Sequence, residues 1–168
     1  MCDTRPDPEH RLIGSLHAQT PLHRRTFLSG MMALAGAGVL SSPTAAPAAT
    51  YLIGSLSQYQ AALDDLAKTK AVALVDVGAE WCAFCKVIDD KILPDRRVAK
   101  LMHSFGLLKI DITTMSDDNR ALLRHLKVDG PPTVFIVDTR SGREHANTRS
   151  VGNFTTEHLI ARLQAFAA

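Results

Sequence analysis

Residues 49–168 predict an α/β fold, a central mixed β-sheet flanked by helices. Three observations carry that expectation. The run Ala71 to Val77 is apolar on both faces apart from Asp76, as a strand covered by helices on both sides must be. Helical and strand-like patterns alternate from Ser57 to Ile112, then give way to two strands joined by a turn and a closing helix. The 120 residues from Ala49 onward suffice for one compact domain with a single core.

Each element has its own signal. Ser57 to Lys70 reads as a helix, with Tyr59, Leu63 and Leu66 at helical spacing and Ser57 as N-cap. The strand Ala71 to Val77 follows. Cys82 to Ile92 is helical until Pro94 breaks or bends it, and Asp95 caps a continuation over Arg96 to Phe105. Gly106 to Ile112 is a second strand. Ser116 caps a short helix that turns Leu122, Leu123 and Leu126 inward. Thr133 to Val137 is a third strand, Asp138 to Gly142 a turn, and Glu144 to Val151 an edge strand. Thr155 caps the last helix, with Leu159, Leu163 and Phe166 on its buried face.

Residues 1–48 read as an export signal rather than as domain. Arg24-Arg25-Thr26-Phe27-Leu28 precedes a mild apolar run, and no charged residue occurs from Thr26 through Leu63. The apolar stretch of about fourteen residues is shorter than the about 20 a membrane anchor needs, so no stable membrane insertion is expected. Ala46-Pro47-Ala48 supplies an A-x-A cleavage site. The paired arginines resemble a twin-arginine signal. The alternative is a basic tail without structure. Without its first 48 residues the chain carries 15 Lys and Arg against 14 Asp and Glu. Such balance argues against nucleic acid or an anionic membrane as the main partner.

The chemistry concentrates in Trp81-Cys82-Ala83-Phe84-Cys85-Lys86, placed where a strand passes into a helix. Two cysteines at this spacing can close a small disulfide ring, and a helix N-terminus stabilises a thiolate. Cys2 falls in the export segment, so Cys82 and Cys85 are the thiols of the mature part. One tight pair points to exchange chemistry rather than to stapling, which uses more and wider-spaced cysteines. Two alternatives stand beside it: a static disulfide, or a metal site completed by His103, His125, His145 or His158. None of these histidines lies at zinc-finger spacing, so no metal ligand is assigned.

With Trp-Cys-x-x-Cys-Lys after one strand and Gly130-Pro131-Pro132-Thr133 before another, the chain resembles the thioredoxin superfamily. From Asp76 to Phe135, with Asn119-Arg120-Ala121-Leu122-Leu123 included, it is similar to the C-terminal periplasmic thioredoxin-like domain of DsbD-type thiol:disulfide interchange proteins. The resemblance implies a thioredoxin-like fold and roles for named residues. Cys82, the helix N-terminal cysteine, attacks; Cys85, one turn in, resolves the mixed disulfide. Asp76, costly to bury without a reason, relays protons to the resolving thiol. Lys109 matches the lysine that accompanies this aspartate, and Asp89 an acidic residue of the DsbD-type domain. The other reading of Asp76 and Lys109 is a solvated strand-end charge, and of Asp89 an ordinary exposed helix residue. Pro132 is expected to be cis and to pack against the disulfide.

Substrate contacts are assigned to Trp81, Phe84 and Pro131. Trp81 is read either as core or as a docking residue, and Phe84 as a partly exposed apolar contact. In thioredoxins the residue before the cis-proline pairs through its backbone with a substrate strand. Pro131 has no N–H to give. The absence of a histidine between the cysteines implies a fairly reducing pair.

The function expected is that of an exported, periplasmic thiol:disulfide oxidoreductase, a protein-disulfide reductase cycling Cys82 and Cys85. No cofactor beyond this redox-active disulfide is expected. Its partners are disulfide-bearing proteins and a membrane electron donor of the DsbD or CcdA type, and the chain is expected to be a monomer. The alternatives are a disulfide-donating oxidant and a copper chaperone using the same two sulfurs as soft ligands.

Overall fold

The structure is a computed structural model that describes residues 48–167; the expected export signal lies outside them apart from Ala48. Five strands form one mixed sheet in the order β1-β3-β2-β4-β5. They are β1 (Thr50–Ile53), β2 (Val72–Gly78), β3 (Phe105–Asp111), β4 (Thr133–Asp138) and β5 (Ser150–Val151). β1, β2 and β3 run parallel, while β4 is antiparallel to both β2 and β5. The predicted α/β sandwich with a mixed sheet is the observed one. β1 was not anticipated, because only Ile53 of its four residues is buried and no alternation announces it.

Strand parity divides the core into two layers. Ala73, Val75 and Val77 of β2 face one way, with Leu108, Ile110, Phe135 and Val137. There they meet Tyr59, Leu63 and Leu66 of α1 (Leu56–Leu66) and Leu122 of α4 (Asp117–Leu126). Val72 and Leu74 face the other way with Phe105, Val134 and Ile136. That layer is closed by Val98 of α3 (Arg96–Met102) and by Leu159 and Leu163 of α5 (Thr156–Gln164). Asp76 has the parity of Val72 and Leu74 and therefore points into the second layer.

The helix starts follow capping chemistry. Ser116 and Asn119 form a reciprocal capping box, Asp95 accepts the Arg97 N–H, and Thr155 that of His158. For α1 the cap is Ser55 rather than Ser57. Ser55 is extended and accepts the Gln58 N–H, while Gln58 Oε1 takes the Gly54 N–H at 2.7 Å.

Two other elements differ from expectation. The helix after the cysteines is α2 (Ala83–Val87) continuing as a π-helical turn over Ile88–Ile92, with Leu93 N–H donating to Ile88 O at 2.8 Å. Pro94, which cannot donate and clashes with the carbonyl four residues back, accounts for the widened ending. The expected edge strand over Glu144 to Val151 shrinks to Ser150–Val151 and an isolated bridge at Glu144. Asn147 turns left-handed, and the Thr148 hydroxyl accepts the Ile136 N–H in place of a backbone carbonyl.

Candidate active site

The parallel strands β2 and β3 deliver the reactive residues to one edge of the sheet. β2 ends at Gly78, and the loop Ala79 to Trp81 carries the chain to Cys82, the N-cap of α2. β4 begins at Thr133, hydrogen-bonded beside Val77, so Pro132 stands at the same edge as the cysteine loop. The Pro131–Pro132 peptide is cis, Pro132 is buried, and its carbonyl accepts the Gly152 N–H at 2.9 Å.

Cys82 and Cys85 are joined as a disulfide with their Cα atoms 5.3 Å apart. The backbone N–H of Cys85 points at Cys82 Sγ, 3.1 Å away. Once the disulfide opens, that donor favours a thiolate on Cys82. Both residues are buried, with relative exposure 7% for Cys82 and 4% for Cys85. Trp81, 61% exposed, is not a core residue, and Phe84 beside it is 48% exposed. Together they leave an apolar surface around the cysteines.

Beneath the disulfide lies a group of three charges. Asp76 is buried, and its register partner on β3 is Lys109. The Lys109 ammonium is 3.6 Å from Asp76 Oδ2 and bonds directly to Asp89 Oδ1. Asp89 lies in the first turn of the π-helical segment. Burial pushes the Asp76 carboxyl up to about 6; Lys109 pulls against that rise and Asp89 adds to it. A carboxyl held there exchanges protons in the range where a thiol/thiolate pair needs a partner.

Asp76, Lys109, Asp89 and Cys85 all line one cleft of about 310 Å³. Residues of the sequence-derived site are thus brought together around the cysteines, with Trp81 and Phe84 on the outer surface.

Sequence reasoning missed two supports. Thr113, just past β3, accepts the Glu80 N–H through Oγ1 at 2.9 Å and the Trp81 Nε1–H through its carbonyl at 3.2 Å. It is fixed by Asp111, whose Oδ1 takes the Thr113 N–H, and the Asp111-Ile112-Thr113 triplet was the available signal. Gly78 is the other: a Cβ there would lie 3.7 Å from Cys85 Sγ. Among the described residues no group of three or more His, Cys, Asp or Glu is arranged to hold a metal ion. None of the described helices is long and apolar enough to cross a membrane.

Comparison with known proteins bears on the family and the fold. The sequence model of a family described as Thioredoxin-like matches residues 55–139. The thiol:disulfide interchange protein DsbD of Haemophilus ducreyi is 30% identical over 164 residues, spanning 90% of this chain and 28% of that protein. DsbD of Pectobacterium atrosepticum is 33% identical over 102 residues, which are 61% of this chain and 18% of the relative. The chain therefore spans less than a third of the length of these relatives. Among solved structures, the reduced C-terminal domain of DsbD from Neisseria meningitidis superposes with a TM-score of 0.59 at 23% identity. That match covers 68% of this chain and 98% of the domain. A thioredoxin from Thermus thermophilus superposes with a TM-score of 0.57 at 19% identity, covering 72% and 88%. At these identities the structural likeness speaks for the fold.

Proposed function

The chain belongs to the thioredoxin-like family, and from that premise we propose that it is an exported thiol:disulfide oxidoreductase working as a protein-disulfide reductase. The observation that carries the reading is the polar environment of the pair. Cys82 Sγ receives the Cys85 N–H, and no histidine stands between the two cysteines. A single backbone donor lowers the Cys82 pKa less than a neighbouring cation does, so the reduced pair is not strongly favoured and gives up its electrons readily.

In the proposed cycle the Cys82 thiolate attacks a substrate disulfide and forms a mixed disulfide. Cys85 then attacks Cys82 Sγ, releases the substrate thiolate and closes the ring. Asp76 takes the Cys85 proton as it attacks, with Lys109 and Asp89 setting the charge around that carboxyl. Trp81 and Phe84 form the apolar contact with the substrate. Pro131 has no N–H to lend to an extended substrate, and the Pro132 carbonyl is engaged by Gly152, which favours a dedicated protein partner over unfolded chains at large.

The surroundings outside the cytoplasm are oxidising. A reductase there depends on a membrane electron carrier of the DsbD or CcdA kind to open the Cys82–Cys85 disulfide again. The relatives named thiol:disulfide interchange protein support the chemistry, and the paired arginines of residues 1–48 support export. The deciding measurement is the reduction potential of the pair against glutathione or dithiothreitol. A value near roughly −270 mV is expected; one near roughly −120 mV makes the protein an oxidant.

A further inference from the structure

Trp81 stands immediately before Cys82 and is largely exposed, yet its ring is held at the polar end. One residue does the holding. Thr113, half-buried just past β3, takes the Trp81 Nε1–H on its carbonyl at 3.2 Å and the Glu80 N–H on its hydroxyl at 2.9 Å. The loop before the cysteines is thus tied twice, once through its backbone and once through the indole. Thr113 is itself fixed, because Asp111 Oδ1 accepts its N–H at 2.8 Å and its hydroxyl at 2.5 Å. A hydroxyl has a single proton, and here the carboxylate takes it, so the Thr113 oxygen is left to accept from Glu80. A charged acceptor strengthens the bond that anchors this arrangement.

We propose that Thr113 is a positioning residue for partner docking, which pre-sets the Trp81 ring against which a disulfide-bearing protein is engaged. An exposed ring that turns freely has to be ordered when a partner arrives, and that ordering subtracts from the free energy of association. A ring already tethered at its N–H presents its apolar face without that loss. Cys82 is placed by other means. Its N–H closes a turn onto the Ala79 carbonyl at 3.0 Å, and its Sγ receives the Cys85 N–H at the start of α2. Thr113 therefore governs the ring beside the nucleophile and not the nucleophile. The inference rests on Cys82 and Cys85 being the exchanging pair and on Trp81 being a substrate contact.

This role separates two kinds of substrate. A protein disulfide is engaged over the apolar surface of Trp81 and Phe84, whereas a small disulfide needs only the Cys82 sulfur. Thr113→Val keeps the branched shape, the N–H that Asp111 accepts and the carbonyl, and removes the hydroxyl alone. The Glu80 N–H then loses its acceptor, and the backbone that carries Trp81 is released on that side. Reaction with protein disulfides should slow while reaction with small ones should not. Thr113→Ser keeps the hydroxyl and gives up only a methyl group, so it should behave as the native chain does.

The test uses the full-length chain, reduced with dithiothreitol and desalted, in single-turnover reactions with insulin and with the small disulfide dithiodipyridine. Trp81 is the sole tryptophan of the chain, so its indole N–H gives one proton resonance whose exchange with solvent reports the tether directly. Thr113→Val is expected to slow the insulin reaction about fivefold, the equivalent of about one hydrogen bond, and to leave the dithiodipyridine rate unchanged. Its indole exchange should quicken by about threefold or more, and Thr113→Ser should match the native chain in all three measurements. Native indole exchange or a native insulin rate in Thr113→Val overturns the positioning role. Equal falls in both reaction rates also overturn it, since Thr113 would then act on Cys82, and so does a Thr113→Ser variant that shares the defects of the valine one. A native chain that reacts with neither disulfide overturns the exchange reading and the docking role with it, while the indole exchange still decides whether Thr113 holds the ring.

Discussion

Asp76 is the residue at which stability and reactivity conflict. Its carboxyl is raised from 3.8 to about 6 chiefly by burial, so the folded state holds the proton more tightly than the unfolded chain does. The sign follows: the folded form is favoured most below the unfolded value near 4 and loses that advantage as pH climbs to about 6. The two-unit difference amounts to roughly 3 kcal/mol. Asp76→Asn should therefore be more stable than the native chain above pH 6, and urea titrations at pH 4 and pH 8 should show its pH slope flattened. Lys109 is not left alone by this change, because Asp89 already holds it. An unaltered slope would mean that Asp76 is ionised throughout. Pro131 carries a different expectation. Pro131→Ile restores an N–H beside the cysteines and should raise turnover of a generic unfolded disulfide substrate by about threefold, the equivalent of part of one hydrogen bond. Turnover that stays at the native value sinks the idea that Pro131 narrows the substrate range.

Elements decide where these residues stand, and some were easier to anticipate than others. β2 and β4 announce themselves because they are buried on both faces, β3 by its apolar run although one face is only partly covered, and α4 because Ser116 caps it. β1 gave no such signal, since its one buried residue, Ile53, sets no period. The contact between Asp89 and Lys109 was also hidden, because it joins a helix to β3 across 20 residues of sequence. Cys82, Cys85 and Pro132 were readable because their spacing and neighbours carry chemistry whatever the packing; Gly78 and Thr113 act only through tertiary contacts. Packing of α1 on the sheet offers a sharp check. Gly106 of β3 lies under Leu66, and a Cβ there would sit 2.5 Å from both Leu66 Cδ atoms. Leu66 is buried and has little room to yield. Gly106→Ala should cost about 1–3 kcal/mol by overpacking, read as a lower urea midpoint at unchanged m-value. Adding Leu66→Ala should recover part of that loss, whereas additive losses would show that the two sites do not touch.

At the scale of the whole molecule the disulfide and the fold are linked through one thermodynamic cycle. Reducing Cys82–Cys85 in the folded protein and in the unfolded chain differs by the same free energy as unfolding the oxidised and the reduced protein. An oxidant draws its power from a reduced form more stable than its oxidised form, so its disulfide strains against the fold. A reductase has the opposite balance. In this chain the buried pair sits in the first core layer with Tyr59, Val77 and Ile112, and the Cys82 sulfur receives a single backbone N–H. Those contacts serve the disulfide at least as well as they serve a thiolate, whose charge would have to be held in a mostly apolar setting. The oxidised protein should therefore unfold at higher urea than the reduced one. Each 1.4 kcal/mol between them corresponds to about 30 mV of potential below that of the unfolded dithiol. The two urea curves, taken at pH 7 with the reduced sample kept in dithiothreitol, predict the equilibrium potential before it is measured. A reduced form that outlasts the oxidised one would reverse the proposed direction of electron flow, even with the fold and the cysteine roles intact.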